Sequence, residues 1–167
     1  MANFYVEGPF AIFTNKGQVS KFLNSDSARK FWEDKAELAK SCGCYVFGFR
    51  ASKGYKPFYV GKATKNFKQE VFAPHKLNKI YEALAQQKKG TLVLFFVRYQ
   101  KSKGKINRLA IGEVETFLIQ SGLEANPNLL NDRSTSVEKW AIKGIIRSGR
   151  GQPSSPAQDL KQCLKLN

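Results

Sequence analysis

The chain has 167 residues, with 28 Lys and Arg against 13 Asp and Glu, a formal net charge of +15, and 42% hydrophobic and 13% aromatic content. Chains of this length usually form one domain of roughly 100 to 200 residues, so this apolar content argues against global disorder and against a tandem repeat array. The longest apolar run, Leu92 to Val97, has six residues, whereas a membrane-spanning helix needs roughly 18 or more, and we therefore expect no membrane span.

The first half of the chain predicts a helix followed by a β-hairpin. Apolar residues recur at helical spacing from Ala28 to Lys40, and Gly43 ends that pattern. Large aromatic residues then alternate with other residues from Cys44 to Arg50, which predicts a strand. The turn residues at 53–57 lead to a second short strand, Phe58 to Gly61, which completes the predicted hairpin.

The second half predicts helices around one buried strand. Helical sequence covers Asn66 to Phe72 and, after a break at Pro74, Leu77 to Gln87. The apolar run from Leu92 to Val97 predicts a strand that is buried on both faces. An apolar-rich helix is predicted from Arg108 to Gln120, where Gly122 ends the pattern. Near the C-terminus, we expect a strand from Trp140 to Ile146 and a closing helix from Pro156 to Leu166.

The N-terminus and the cysteines predict a cytoplasmic protein. The residues from Met1 to Glu7 have neither the basic stretch nor the apolar run of a secretory signal. Three cysteines, Cys42, Cys44 and Cys163, fit reduced thiols better than a disulfide framework. Together with the single histidine, His75, they do not supply the four spaced ligands of a structural zinc site.

The positive charge is concentrated in two stretches. Between Lys53 and Ile106, thirteen Lys and Arg face two acidic residues, a balance of +11, and after Asp132 seven face two, a balance of +5. Such a local excess is typical of proteins that contact the phosphate backbone of nucleic acids. A membrane surface is the weaker alternative, because it would require a basic amphipathic helix with an apolar opposite face.

Several motifs resemble the GIY-YIG nuclease superfamily. Gly43-Cys44-Tyr45 corresponds to the first tripeptide, and Tyr59-Val60-Gly61 corresponds to the second, with its tyrosine fourteen residues after Tyr45. Lys62-Ala63 followed by Asn66-Phe67-Lys68 resembles the version found in the excision-repair incision nucleases. Glu115-Thr116-Phe117-Leu118-Ile119, followed by Pro127 and Asn131, is similar to the closing pattern of the family.

The resemblance covers Gly43 to Asn131 and implies an α/β fold of the α+β type, in which helices flank a small antiparallel central sheet. It divides the chain into an N-terminal extension packed on the core (1–42), a nuclease-like domain (43–131) and a basic C-terminal extension (132–167). The implied activity is divalent-metal-dependent hydrolysis of DNA phosphodiester bonds, with DNA favoured over RNA as the partner.

The chemistry requires a nucleophilic water, an acceptor for its proton and cations that stabilise the charge on the phosphoryl oxygens. A tyrosine hydroxyl has an unperturbed pKa of about 10, and nearby cations favour its ionisation. The resemblance assigns the base to Tyr45, with Tyr59 beside it. His75 occupies a position where some family branches carry a histidine that assists proton transfer. The alternative is that these are ordinary structural aromatics and a structural histidine.

The metal candidate is Glu115, because Mg²⁺ or Mn²⁺ can be held by one carboxylate together with waters and substrate phosphate. Glu113 has a similar helical spacing, and the Glu-x-x-Leu-Ile pattern favours Glu115. Asn131 is expected to fix the loop after the helix through side-chain hydrogen bonds.

Four lysines are the predicted nucleic-acid contacts: Lys62, Lys65, Lys68 and Lys76. Lys62 also follows Gly61 directly and is expected to neutralise a phosphate oxygen during catalysis. One position departs from the family, since Glu70 stands where the family has an arginine that clamps the scissile phosphate. A carboxylate there repels phosphate, so a nucleic-acid-binding module without catalytic activity is the alternative function, unless one of the lysines replaces the arginine.

Overall fold

A computed structural model of the chain describes residues 2–16, 21–23, 25–51, 54–86, 90–100, 105–135, 142, 145 and 151–164. The chain divides into two compact units, Met1–Thr135 and Ser136–Asn167. Across the described residues, no helix is long and apolar enough to cross a membrane.

The first unit begins with strands β1 (Asn3–Ala11), β2 (Asn15–Lys16) and β3 (Lys21–Phe22) and helices α1 (Ser25–Phe31) and α2 (Ala36–Lys40). Strands β4 (Gly43–Ala51) and β5 (Gly54–Ala63) follow, then helices α3 (Phe67–Glu70) and α4 (Pro74–Gln86), strand β6 (Thr91–Gln100) and helix α5 (Arg108–Ala125). In the second unit, the described residues include helix α6 (Ser155–Cys163).

The central sheet has four antiparallel strands in the order β1-β6-β4-β5. It confirms the predicted small antiparallel sheet flanked by helices, and β4 and β5 form the predicted hairpin. Gly43 is the first residue of β4, and β6 passes too close to it for a side chain: a Cβ there would lie 2.8 Å from the backbone nitrogen of Tyr99. The φ of +141° at Gly43 is also one that other residues rarely adopt.

Helices cover both faces of the sheet. The alternation along β4 directs Tyr45, Phe47 and Phe49 into an aromatic core shared with α1 to α4. Cys44 and Val46 lie on the opposite face, in two smaller apolar clusters to which α5 contributes Ile111 and Ile119. The period-2 pattern that predicts β4 therefore also separates the two helical layers.

The predicted helix from Ala28 to Lys40 is wrong in its continuity, because the chain turns between α1 and α2. Phe31 and Trp32 are adjacent in sequence, yet both are buried, and their ring centroids lie 4.9 Å apart. Both rings also pack against Phe72. Since one straight helix separates adjacent side chains by about 100°, the turn lets both aromatic rings enter the core.

Among the other differences from the predictions, two concern helix boundaries and one is an unpredicted strand. α4 begins at Pro74. The N–H groups of the first helical turn have no partner within the helix, so proline, which lacks an N–H group, is well suited to this position. α5 continues past Gly122, which is buried where a Cβ would lie 3.2 Å from Leu129. Residues 3–11, predicted only as part of a packed extension, form β1 at the edge of the sheet next to β6.

Only part of the C-terminal predictions can be compared with the described residues. The predicted strand from Trp140 to Ile146 lies outside the described residues, apart from Ile142 and Ile145. The predicted closing helix is present as α6, in which Ala157 is buried and the backbone N–H of Gln158 donates to the carbonyl oxygen of Ser154. The division of the chain at residues 42 and 131 stays a prediction.

Candidate active site

A cleft of about 590 Å³ lies along the outer edge of β5 and brings most of the predicted site residues together. β5 contributes side chains from both of its faces, because it is the last strand of the sheet. α4 approaches from one side and α5 from the other. The lining comprises the predicted residues Tyr59, Lys62, Glu70, His75, Lys76, Glu115 and Asn131, together with Thr64, Thr116, Ile119, Asp132, Arg133 and Ser134.

Asn131 closes the edge of β5 as the sequence predicts. Its side-chain Nδ2 donates to the carbonyl oxygen of Val60 at 2.8 Å, and its Oδ1 accepts from the Val60 backbone N–H at 2.9 Å. The backbone N–H of Leu130 donates to the carbonyl oxygen of Phe58, also on β5, at 2.7 Å. The loop after α5 thus takes the place of a further strand and carries Asp132 and Arg133 to the rim of the cleft.

On the α5 side of the cleft, Lys62 donates to Glu115 over 2.7 Å. The Glu115 side chain is 19% exposed, whereas that of Lys62 is 43% exposed, so the carboxylate is largely sheltered and the ammonium is accessible. Glu113 lies on the other side of α5, near Leu109 and Phe117. The structure therefore separates the two candidate glutamates and places only Glu115 in the cleft lining.

On the α4 side, Lys76 connects a tyrosine and a carboxylate. Its Nζ donates to the Tyr59 hydroxyl at 2.5 Å and lies 3.8 Å from Glu70 Oε1. His75 Nε2 lies 3.9 Å from the same Glu70 oxygen. Lys76, with a side chain only 14% exposed, is therefore a sheltered cation beside Glu70, the residue that stands at the arginine position of the resemblance.

Tyr45 lies beneath the cleft rather than on its surface. The residue is completely buried, and its hydroxyl has no hydrogen-bond partner in the part of the chain that the structure describes. Its ring covers Gly61, where a Cβ would lie 2.5 Å from the hydroxyl oxygen, so the glycine of the second motif makes room for the tyrosine of the first. Its ring centroid is 6.4 Å from that of Tyr59.

The surroundings of Tyr45 keep its hydroxyl protonated. Burial raises the pKa of Tyr45 far above its usual range, and the neighbouring Tyr59, Glu70 and Glu115 raise it further. The first-motif tyrosine thus lies in an environment, set by burial and by the charges of Glu70 and Glu115, that opposes the phenolate which a general base requires.

Lys65 and Lys68 do not line the cleft. They lie in a separate groove with Trp32 and Lys40, on the other side of the 64–70 segment. The prediction of four nucleic-acid contacts therefore corresponds to two places in the structure, with Lys62 and Lys76 in the cleft and Lys65 and Lys68 in the groove.

Sequence reasoning missed five polar residues of the cleft: Thr64, Thr116, Asp132, Arg133 and Ser134. Thr116 follows Glu115 directly, and Arg133 comes two residues after Asn131. Each could have been identified as the neighbour of a predicted site residue, since the turn after Asn131 had to remain close to the site.

The cleft offers a divalent cation one sheltered carboxylate rather than a complete set of protein ligands. The described residues contain no group of three His, Cys, Asp or Glu side chains that could hold a metal ion, so a closed protein site is not formed there. Mg²⁺ needs only one or two carboxylates, since waters and substrate oxygens complete its octahedron. Glu115 supplies such a carboxylate, and its pairing with Lys62 means that the ammonium and a cation would compete for it.

Comparisons of the chain with family models, with curated proteins and with solved structures find no match.

Proposed function

We propose that this chain is a metal-dependent endonuclease of the GIY-YIG type that hydrolyses DNA phosphodiester bonds. The observation that supports the proposal is the cleft at the edge of β5, which gathers Tyr59, Lys62, His75, Lys76 and Glu115 from three elements of the fold. These five residues include two cations, two groups that can exchange protons and one carboxylate, which are the components that phosphodiester hydrolysis requires.

In this proposal, the role of each cleft residue follows from its position. Lys62 is accessible at the end of β5 and neutralises a phosphate oxygen, while Glu115 holds Mg²⁺ or Mn²⁺, which when bound supplies a Lewis acid and an activated water. An ammonium group can only donate hydrogen bonds, so the Tyr59 oxygen accepts from Lys76 and its own O–H can donate to a phosphate oxygen in the cleft. Tyr59 is therefore the tyrosine that contacts substrate in this proposal.

The test is cleavage of supercoiled plasmid by the purified full-length protein with Mg²⁺ or Mn²⁺. We expect nicked or linear DNA and no product in the presence of a chelator. Glu115→Gln should abolish cleavage because it weakens metal binding, and Glu113→Gln is the matched control on the other side of the same helix. Tyr59→Phe should also abolish cleavage. Equal activity of the two glutamate variants, or a wild-type protein that cuts with neither metal, would refute the proposal.

A second candidate function is a nucleic-acid-binding module that has lost its activity. Two observations favour it: Glu70 stands at the position of the family arginine, and the Tyr45 hydroxyl is buried. Glu70→Arg distinguishes the two functions in the same plasmid assay. In a silenced nuclease this change is expected to restore cleavage, whereas in an active enzyme that uses Glu70 it is expected to impair cleavage.

A further inference from the structure

The charges of the cleft cancel one another. Its lining contains three positive side chains and three negative ones, namely Lys62, Lys76, Arg133, Glu70, Glu115 and Asp132. Lys62 and Lys76 also lie within 4 Å of carboxylate oxygens. A lining with balanced charges by itself gives a polyanion little long-range attraction, so a surface outside the cleft with unpaired positive charge would add to the affinity for nucleic acid that the proposed function needs.

A groove of about 420 Å³ between α2 and α3 differs from the cleft in its charge, because its described lining residues include lysines but no carboxylate. Its lining includes Lys40, Lys65 and Lys68, the amide side chains of Asn66 and Gln69, and the indole of Trp32, and no carboxylate is among its described lining residues. Of the three lysines, Lys40 lies 3.6 Å from Glu37, but both of these side chains are more than three-quarters exposed. Such a pair is worth little in water, so the groove keeps a net positive charge.

The groove and the cleft lie on the two sides of one short segment of chain. Thr64 lines the cleft and Lys65 lines the groove, and the same alternation recurs at Glu70 and Gln69. Consecutive Cα atoms are about 3.8 Å apart, and successive phosphates along one DNA strand advance about 3.4 Å along the helix axis. A strand held in the cleft can therefore place phosphates within a few nucleotides of the groove lysines.

We propose that this groove binds the phosphate backbone of the nucleic-acid strand whose scissile phosphate lies in the cleft. The inference rests on the proposed function for the position of that phosphate, while the groove itself is argued from its charge. Lys40, Lys65 and Lys68 are the phosphate contacts, and the amide of Gln69 adds a hydrogen-bond donor. The groove supplies affinity that the electroneutral cleft lacks.

Binding is measured in the presence of chelator, so that cleavage plays no part. A fluorescently labelled DNA duplex is titrated with wild-type protein, with Lys65→Ala/Lys68→Ala and with the control Arg50→Ala/Lys56→Ala. The control removes the same charge near the β4–β5 turn, at the opposite end of the hairpin from Lys65. The dissociation constant is determined over a range of salt concentrations.

Each phosphate contact contributes about 0.9 to the slope of log affinity against log salt for duplex DNA. The groove variant should lose about two contacts, so its slope should become shallower by about 1.8. Binding at about 0.1 M salt should weaken by up to roughly 60-fold. The control should change the slope by much less. Equal slopes in the two double variants would overturn the proposal. Parallel titrations with single-stranded DNA and with RNA show which kind of strand the groove prefers.

A second readout reports on the groove directly. The chain has two tryptophans, Trp32 and Trp140, so in a Trp140→Phe background the tryptophan emission comes from Trp32, a residue of the groove lining. Added DNA should change that emission in the wild-type groove and much less with Lys65→Ala/Lys68→Ala. Should DNA bind without any change in Trp32 emission and with an unaltered salt slope, the groove is not the binding site.

The two proposals can fail separately. If the wild-type protein does not cleave plasmid but the salt slope and the Trp32 emission respond as expected, the nuclease proposal is wrong and the groove is a nucleic-acid-binding site. If plasmid is cleaved while both double variants bind with the same slope, the groove proposal is wrong and the nuclease proposal stands.

Discussion

The substitution Tyr45→Phe removes one oxygen atom from the centre of the fold, and we expect it to stabilise the protein. The Tyr45 hydroxyl is buried with no hydrogen-bond partner among the described residues, whereas its ring packs against Phe47 and Phe67 with centroids 5.7 and 6.5 Å away. Phenylalanine keeps those ring contacts. The change therefore relieves the desolvation of the hydroxyl without leaving a cavity.

The magnitude follows from the cost of burying a hydroxyl without a partner, which is about 1–3 kcal/mol in protein mutational data. We expect Tyr45→Phe to raise the free energy of unfolding of the first unit by about 1–2 kcal/mol. The matched control is Tyr59→Phe, because the Tyr59 hydroxyl accepts a hydrogen bond from Lys76. Loss of a hydrogen bond to a charged group costs about 1.5–3 kcal/mol, so the two variants should shift stability in opposite directions.

The assay is urea denaturation followed by far-ultraviolet circular dichroism, with the free energy obtained by linear extrapolation. Cleavage of plasmid by the same protein preparations is measured in parallel. A Tyr45→Phe variant that is destabilised by 1 kcal/mol or more would refute the reasoning, because it would show that the hydroxyl has a partner in solution. A variant that is more stable but inactive would identify a hydroxyl retained for function at a cost in stability.

Two further predictions concern the same region. Gly61→Ala should lower the free energy of unfolding by about 1–3 kcal/mol, as overpacked cores do, because its Cβ would lie 2.5 Å from the Tyr45 hydroxyl; urea denaturation measures the loss, and an unchanged midpoint would contradict the packing described here. Stability should also fall above about pH 9, because burial raises the pKa of Cys44 from 9.0 to about 12 and also raises that of Tyr45. Between the unfolded and folded pKa values, the native state retains a proton that the unfolded state loses, which costs up to about 1.4 kcal/mol per pH unit and group. Denaturation midpoints from pH 8 to 11 measure this slope, which should become shallower in Cys44→Ala, and a midpoint independent of pH would contradict the burial of both groups.

Local patterns were sufficient to predict the elements that carry the site. The alternation of aromatic residues predicts β4, the turn residues predict the hairpin, and the helical spacing places Glu115 on α5. The turn between α1 and α2 could not be predicted, because it depends on the packing of Phe31 and Trp32 against Phe72, which is distant in sequence. Tertiary packing decides such cases over local helix propensity.

The composition of the cleft could be predicted less well than its elements. The sequence shows that Lys62, Lys65, Lys68 and Lys76 follow the second motif, but it does not show that β5 is the edge strand or which way α3 faces. Those two facts assign two of the lysines to the cleft and the other two to the groove. The burial of Tyr45 depends in turn on the pairing of β4 with β5, which places its ring over Gly61.

The structure suggests a role for Glu70, which stands where the resembled family has an arginine, that the sequence alone does not suggest. An ammonium group has three N–H donors, and Lys76 directs one of them to Tyr59 and lies 3.8 Å from Glu70. In the proposed nuclease, a further N–H of Lys76 remains for a phosphate oxygen in the cleft, so Glu70 and Tyr59 would together hold Lys76 in place for the substrate, and Glu70 would do more than repel the phosphate. The cost of a carboxylate near phosphate is reduced by its pairing with Lys76. Arginine at position 70 would remove the acceptor that orients Lys76 and place a second cation beside it, which is why Glu70→Arg is expected to impair an active enzyme.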